Sequence, residues 1–182
     1  LYQDYLHAGR TRPMADVFYH NLVDILSLVS LAGLAGRLIN EPFRAPDEGI
    51  RDYYALGILL ESEGRTGDAI RAYRVAAFDG GRRMAEATKR LSYLYKRLGR
   101  YEEAMEVWRS ACGGGELYPY VELAKQYEHR LKDYGRAREV AMRALEWLGS
   151  PQCALGRYEA RRARSELEHR LARLERRLEA SA

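Results

Sequence analysis

The 182 residues carry 47% hydrophobic and 31% charged side chains with a formal net charge of +4, the values of an ordinary soluble globular chain of one domain or a little more. Two cysteines, Cys112 and Cys153, are too few for a disulfide scaffold and too far apart for a zinc site, so a reducing cytoplasm is the expected setting. No signal peptide, Gly-rich phosphate loop or nucleophilic triad is visible, and a first residue Leu1 in place of Met is expected of a piece of a longer protein.

In chain order, residues 1–40 predict a short helix (YQDYLHAG) and a long apolar one. The run LVDILSLVSLAGLAG at 22–36 is shorter than the roughly 20 apolar residues of a spanning helix and contains Asp24. It therefore reads as a buried helix, with Leu22 and Val29 inside and no membrane segment. Its polar start, FYHNLVDILSL, sets His20 and Asp24 four apart on one face. On periodicity alone such a pair is a local ion pair or a buried histidine with its partner.

The stretches NEPFRAPDEG at 40–49 and WLGSPQCALG at 147–156 break the helical pattern and divide the chain into three parts, 1–40, 50–149 and 154–182. The middle part repeats. GRTGDAIRAYRVAA, GRYEEAMEVWRSA and KDYGRAREVAMRAL each run turn, alanine, then apolar residues at helical spacing. Their aligned alanines are Ala69, Ala104 and Ala137, 35 and 33 residues apart, the period of paired antiparallel helices.

The first unit places Tyr53, Leu56, Gly57, Leu60, Gly64, Ala69, Tyr73 and Ala76 in one ungapped register. The second supplies Leu91, Tyr95, Gly99, Tyr101, Ala104, Trp108 and Ala111; the third supplies Tyr120, Leu123, Ala124, Tyr127, Ala137 and Ala144, with one extra residue before Ala137. On these residues the middle part resembles the tetratricopeptide repeat family. The resemblance implies an all-α stack of about three helical hairpins. Small residues in such a stack let paired helices approach, and large ones fill the gap to the next pair. The last helix, with Leu167, Leu171, Leu174 and Leu178 spaced four, three and four, reads as a C-terminal cap, with a coiled-coil dimer as the alternative.

The N-terminal part, with a short helix and glycine followed by His20, Asn21, Asp24, Leu26, Ser27 and Leu28, resembles the end of the YprB-like ribonuclease-H-fold proteins, relatives of DEDD-type 3'-to-5' exonucleases. ELAKQYEHRLKDYGRA in the third unit resembles the tetratricopeptide-like tail that often follows that domain. These resemblances imply that 1–40 is the end of an incomplete nuclease domain, that Asp24 is the last of four acids holding two Mg or Mn ions, and that His20 orients or deprotonates the attacking water. Such ions lie roughly 4 Å apart and activate water for phosphodiester cleavage. The spacing here is His20-x3-Asp24 and Tyr19-x4-Asp24, whereas the family's branches have Tyr-x3-Asp and His-x4-Asp. With a single such acid, this chain is expected to hold no metal and to perform no hydrolysis by itself.

Positive charge concentrates at 81–100, where seven Lys or Arg face the single acid Glu86. By repeat register the inward positions of the first helices are Arg51, Tyr54, Glu61, Lys89, Tyr93, Lys96, Arg97, Tyr118, Lys125, Glu128 and His129. Cations interleaved with tyrosines suit a protein or acidic peptide, or single-stranded nucleic acid through phosphate contacts and stacking. The arginine-rich helix at 157–177 reads as a solubilising cap. The functional expectation is an interaction module forming the tail of a metal-dependent exonuclease-like protein; the alternative is a repeat scaffold for protein partners, unconnected with catalysis.

Overall fold

The structure, a computed structural model, describes residues 12–44, 52–78 and 81–180. In chain order the helices are α1 (Arg12–Asn40), α2 (Tyr53–Ser62), α3 (Thr66–Phe78), α4 (Met84–Arg97), α5 (Tyr101–Ala111), α6 (Tyr118–Lys125), α7 (Tyr134–Leu148) and α8 (Arg157–Glu179). No strand occurs among the described residues. From α2 to α8 each helix packs on the next in sequence, so the fold is the expected all-α stack: hairpins α2–α3, α4–α5 and α6–α7, then α8. The short helix expected near the N-terminus lies outside the described residues.

The crossings are set by the smallest side chains. Ala69, Ala104 and Ala137 are fully buried, as are Ser92 and Ala124 on the facing helices. At the equivalent Gly57 an added Cβ would lie 2.5 Å from a ring carbon of Tyr73, so only glycine fits there. Tyr73 and Trp108 fill the space beyond and are themselves fully buried.

Turns inside the hairpins need a left-handed residue. Gly64 and Gly99 supply it with φ of +72° and +73°; in the third hairpin Lys132 takes the same place at φ 57°. The extra residue of the third unit is absorbed just before that turn. There α6 continues as a π-helical turn, Gln126–Leu131, which keeps both Leu123 and Tyr127 in the core while Lys132 still closes the hairpin. Asp133 then caps α7, its carboxylate accepting from the Arg136 N–H at 2.9 Å, as Asp52 caps α2 from Ala55 at 3.0 Å.

Helix α8 lays Leu167 and Leu174 against α7. The leucine stripe is thus used within the chain, as a cap requires.

The first helix corrects the sequence expectation. Leu22 and Val29, expected inside, are 54% and 64% exposed, and Phe18, Ile25, Leu28 and Leu31 are likewise bare. The run is apolar on every side, so burial requires cover on several faces, and no described element supplies it. Counted as the helix folds, moreover, the apolar stretch is Ala15–Arg37, 23 residues, long and apolar enough to cross a membrane by length and composition. Among the described residues, its contacts with the repeats lie at the C-terminal end. Arg65 donates to the Ile39 carbonyl, and the ring of Phe43 stacks on Tyr53 with the Arg71 guanidinium 4.0 Å from its centroid.

Candidate functional site

The inward faces of α2, α4, α6 and α8 bring together charges that lie far apart in sequence. Glu61, Lys96 and Glu128 occupy one register, eight residues after Tyr53, Thr88 and Tyr120, so the sign alternates from tier to tier. The three do not pair with one another; each meets an opposite charge at another register position of a neighbouring tier.

At the first gap Glu61 of α2 accepts from Arg97 at 2.8 Å and lies 3.5 Å from Arg90, both on α4. The Tyr73 hydroxyl donates to the same carboxylate at 2.8 Å. At the second, Glu122 of α6 accepts from Lys96 of α4 at 2.6 Å and from its own helix's Lys125 at 2.8 Å. At the third, Glu128 in the π turn accepts from Arg170 at 2.6 Å and Arg173 at 2.7 Å, both on α8. Each gap thus sets one deep carboxylate between two cations, and Lys89 lies a further 3.9 Å from Glu116.

The acids lie deep and most of the cations lie above them. Side-chain exposure is 17%, 7% and 1% for Glu61, Glu122 and Glu128, against 64% for Arg97, 42% for Lys125 and 42% for Arg173. Burial pushes each carboxyl upward, but the partners outweigh it. Tyr73, Arg97 and Arg90 hold Glu61 below the ordinary carboxylate value, Lys125 and Lys96 do so for Glu122, and Arg173 and Arg170 for Glu128.

Between α2 and α4 lies a cavity of about 440 Å³, lined by Tyr54, Glu61, Glu86, Lys89, Arg90, Tyr93 and Arg97 among others. The tyrosines are already engaged. Tyr93 stacks on Tyr118 with centroids 6.1 Å apart, the Lys89 ammonium lies 5.1 Å from the Tyr118 ring, and Lys96 lies 5.9 Å from Tyr93. Tyr54 tilts against Tyr73, with Arg83 5.2 Å from its ring. Burial raises the Tyr118 and Tyr93 hydroxyls, which stay protonated at neutral pH.

Of the positions expected from sequence, Tyr54, Lys89, Tyr93, Lys96, Arg97, Tyr118 and Lys125 do share this face. His129 sits at its margin, 3.7 Å from Glu128, and Arg51 lies outside the described residues. Sequence reading missed Glu122, Arg90, Arg170 and Arg173, which complete the three gaps. The repeated acid at the register of Glu61 and Glu128 was the available signal, because a buried carboxylate there demands cations from the next tier.

The second candidate, His20 with Asp24, stands apart on α1. Their nearest atoms are 3.7 Å apart and both side chains are exposed. Among the described residues no group of three or more His, Cys, Asp or Glu is arranged to hold a metal ion. Asp24 alone cannot hold a divalent cation, so any such site needs acids from elsewhere.

The tetratricopeptide repeat family matches residues 90–112, the second half of α4 and all of α5. The chain is similar to the uncharacterized protein YprB of Bacillus subtilis (strain 168), with 31% identity over 149 residues. That match covers 80% of this chain and 36% of the relative, so the chain spans about a third of the relative's length. A helical repeat of the tetratricopeptide kind is a scaffold for protein interaction.

Proposed function

We propose that this chain is the docking module of a larger protein, binding a segment of a protein partner along the face made by α2, α4, α6 and α8. The observation that carries this reading is the groove itself. Three successive gaps hold paired, partly buried charges, with a cavity of about 440 Å³ at the first of them, where Arg90 and Arg97 are held by Glu61. Binding to side chains already ordered costs less conformational entropy than binding to free ones. The test is to pan the 182-residue chain against a randomised peptide display and to map bound peptides with a photocrosslinker replacing Tyr93. Peptides crosslinked to α4 and α6 are expected. Selection only of peptides that crosslink elsewhere, or of none, would refute the reading.

The larger protein is, in this proposal, a metal-dependent 3'-to-5' exonuclease of the ribonuclease-H fold working in the cytoplasm. The support is the His20–Asp24 helix preceding the repeats and the similarity to YprB, most of whose length lies outside the match. Asp24 would join acids from outside this chain to hold Mg or Mn ions, and His20 would act on the attacking water. In the longer protein, Asp24→Asn should abolish Mg- or Mn-dependent degradation of a 3'-labelled single strand while leaving thermal stability unchanged. Full activity in that variant would remove the catalytic assignment.

A further inference from the structure

From a second cavity, on the side of the hairpins' second helices, we infer a binding site for a single phosphate monoester. It is independent of the docking face, since its charged groups belong to α5 and α7. The cavity, about 260 Å³, is bordered by Arg109 of α5 and by Arg136, Glu139 and Arg143 of α7. Leu123 of α6 and Tyr127 of the π turn complete its wall.

An equivalent cavity of about 330 Å³ lies one tier earlier, between α3 and α5. In the repeat register Arg74 there corresponds to Arg109, Tyr95 to Tyr127, Glu106 to Glu139 and Val107 to Val140. Two positions change: where the earlier tier has Glu103 and Ser110, this one has Arg136 and Arg143. The earlier lining sets Arg74 and Arg100 against Glu103 and Glu106 and is balanced. Here three arginines face the single lining acid Glu139. The same architecture thus occurs with and without the excess charge, so the repeat itself does not impose it.

Most of the guanidinium donors are free. Arg109 donates to the Tyr127 hydroxyl at 3.5 Å, Arg136 meets Asp133 through Nε at 3.5 Å, and Arg143 stands 6.0 Å from the ring of Tyr120. Among the described residues Arg109 and Arg143 form no ion pair, unlike the cations of the three inward gaps. Each guanidinium has five donors, so these contacts leave several on every one. Tyr127 is 7% exposed and accepts from Arg109, while its own proton reaches no acceptor among the described residues. The other acids of α7, Asp133 and Glu146, lie one turn before Arg136 and one turn after Arg143, outside the lining.

Three guanidinium forks and a buried hydroxyl suit a compact anion with several oxygens. Each fork pairs with phosphoryl oxygens two at a time, and a phosphate monoester has three to share where a carboxylate has two. The buried Leu123 and Val140 give an apolar wall for the carbon that bears the phosphate. A nucleic-acid strand fits less well, because its next phosphate toward the earlier tier would meet Glu103 and Glu106. The ligand chemistry is therefore one phosphoryl dianion on a short carbon stem, carried by a phosphoserine or by a free small ester.

The test is an NMR titration of the isotope-labelled 182-residue chain at fixed ionic strength. The probes are an Ala-phosphoserine-Ala tripeptide, its unphosphorylated parent, glycerol phosphate and an oligothymidylate. Phosphorylated probes should move the signals of 109–112 and 136–143, the parent should move none, and the tighter of the two phosphorylated probes identifies the source. Arg136→Glu and Arg143→Ser install what the earlier tier carries at exposed positions, so the fold should hold and each should weaken binding about tenfold. Tyr127→Phe, which keeps the ring and removes the donor, should weaken it less. The proposal is overturned if neither phosphorylated probe moves these signals, if the unphosphorylated parent moves them equally, or if both arginine replacements leave affinity unchanged. Tighter binding of the oligothymidylate at the same residues also overturns it, by making a strand the ligand. Crosslinks from Tyr93 in the panning experiment bear on the docking face alone, so the two readings fail separately.

Discussion

Replacing Gly57 with alanine tests whether the first hairpin is closed by direct contact between helix backbone and ring. The added Cβ would stand 2.5 and 2.6 Å from Cε1 and Cδ1 of Tyr73, where carbon atoms ordinarily rest at about 3.5–4.0 Å. The ring has no room to retreat, being fully buried and tied to Glu61 at 2.8 Å. Overpacking of this kind costs about 1–3 kcal/mol, and the immobile ring puts the estimate near the upper figure. Alanine returns about 1 kcal/mol of helix propensity, leaving a net loss of about 2 kcal/mol. For a chain of this size that lowers Tm by about 4–8 °C, readable by circular dichroism. The displaced ring should also release its hydrogen bond to Glu61, so the acid's titration, followed by NMR, should move upward. A variant as stable as the parent, or stabilised by the 1 kcal/mol that an ordinary helical glycine would give, refutes the close-contact account.

Glu128→Gln removes the acid between Arg170 and Arg173; because Arg173 is half solvated, the expected loss is about 2 kcal/mol, below that of a fully buried pair, with α8 becoming the first site of limited proteolysis. Glu61, Glu122 and Glu128 all titrate below their ordinary 4.5 in the folded chain. Their contribution is therefore fully present at neutral pH and is lost as the pH falls from the unfolded value through the lower folded ones, so urea midpoints should be flat near neutrality and drop below about pH 4.5, less steeply in the triple glutamine variant. Lys132→Gly relieves a left-handed lysine at φ 57° and should raise stability by up to about 1 kcal/mol in urea unfolding; a loss would show that the lysine side chain stabilises the turn. Burial pushes the Cys112 thiol up to about 11, so its modification by a thiol reagent at pH 7.5 should be far slower in the folded chain than in urea.

The helical hairpins were legible in the sequence because the constraint on each crossing is local. A helix can approach its partner only where a small residue stands, and Gly57, Ala69, Ser92, Ala104, Ala124 and Ala137 recur at the repeat period, with Gly64 and Gly99 marking the turns. The extra residue of the third unit could be counted too. Its placement in a π turn belongs to the packing, since that turn keeps Leu123 and Tyr127 inward and still brings Lys132 to the turn. Register likewise put the groove's cations and tyrosines on one face, but a charge list says nothing of what each charge meets. Arg97 reaches an acid 36 residues earlier and Glu128 is gripped by arginines 42 and 45 residues later, pairings that exist only once the tiers stack. The apolar helix α1 marks the same boundary from the other side. Its composition requires that apolar surface leave water, yet which surface covers Leu22 and Val29 is a property of tertiary neighbours, and none among the described residues does so.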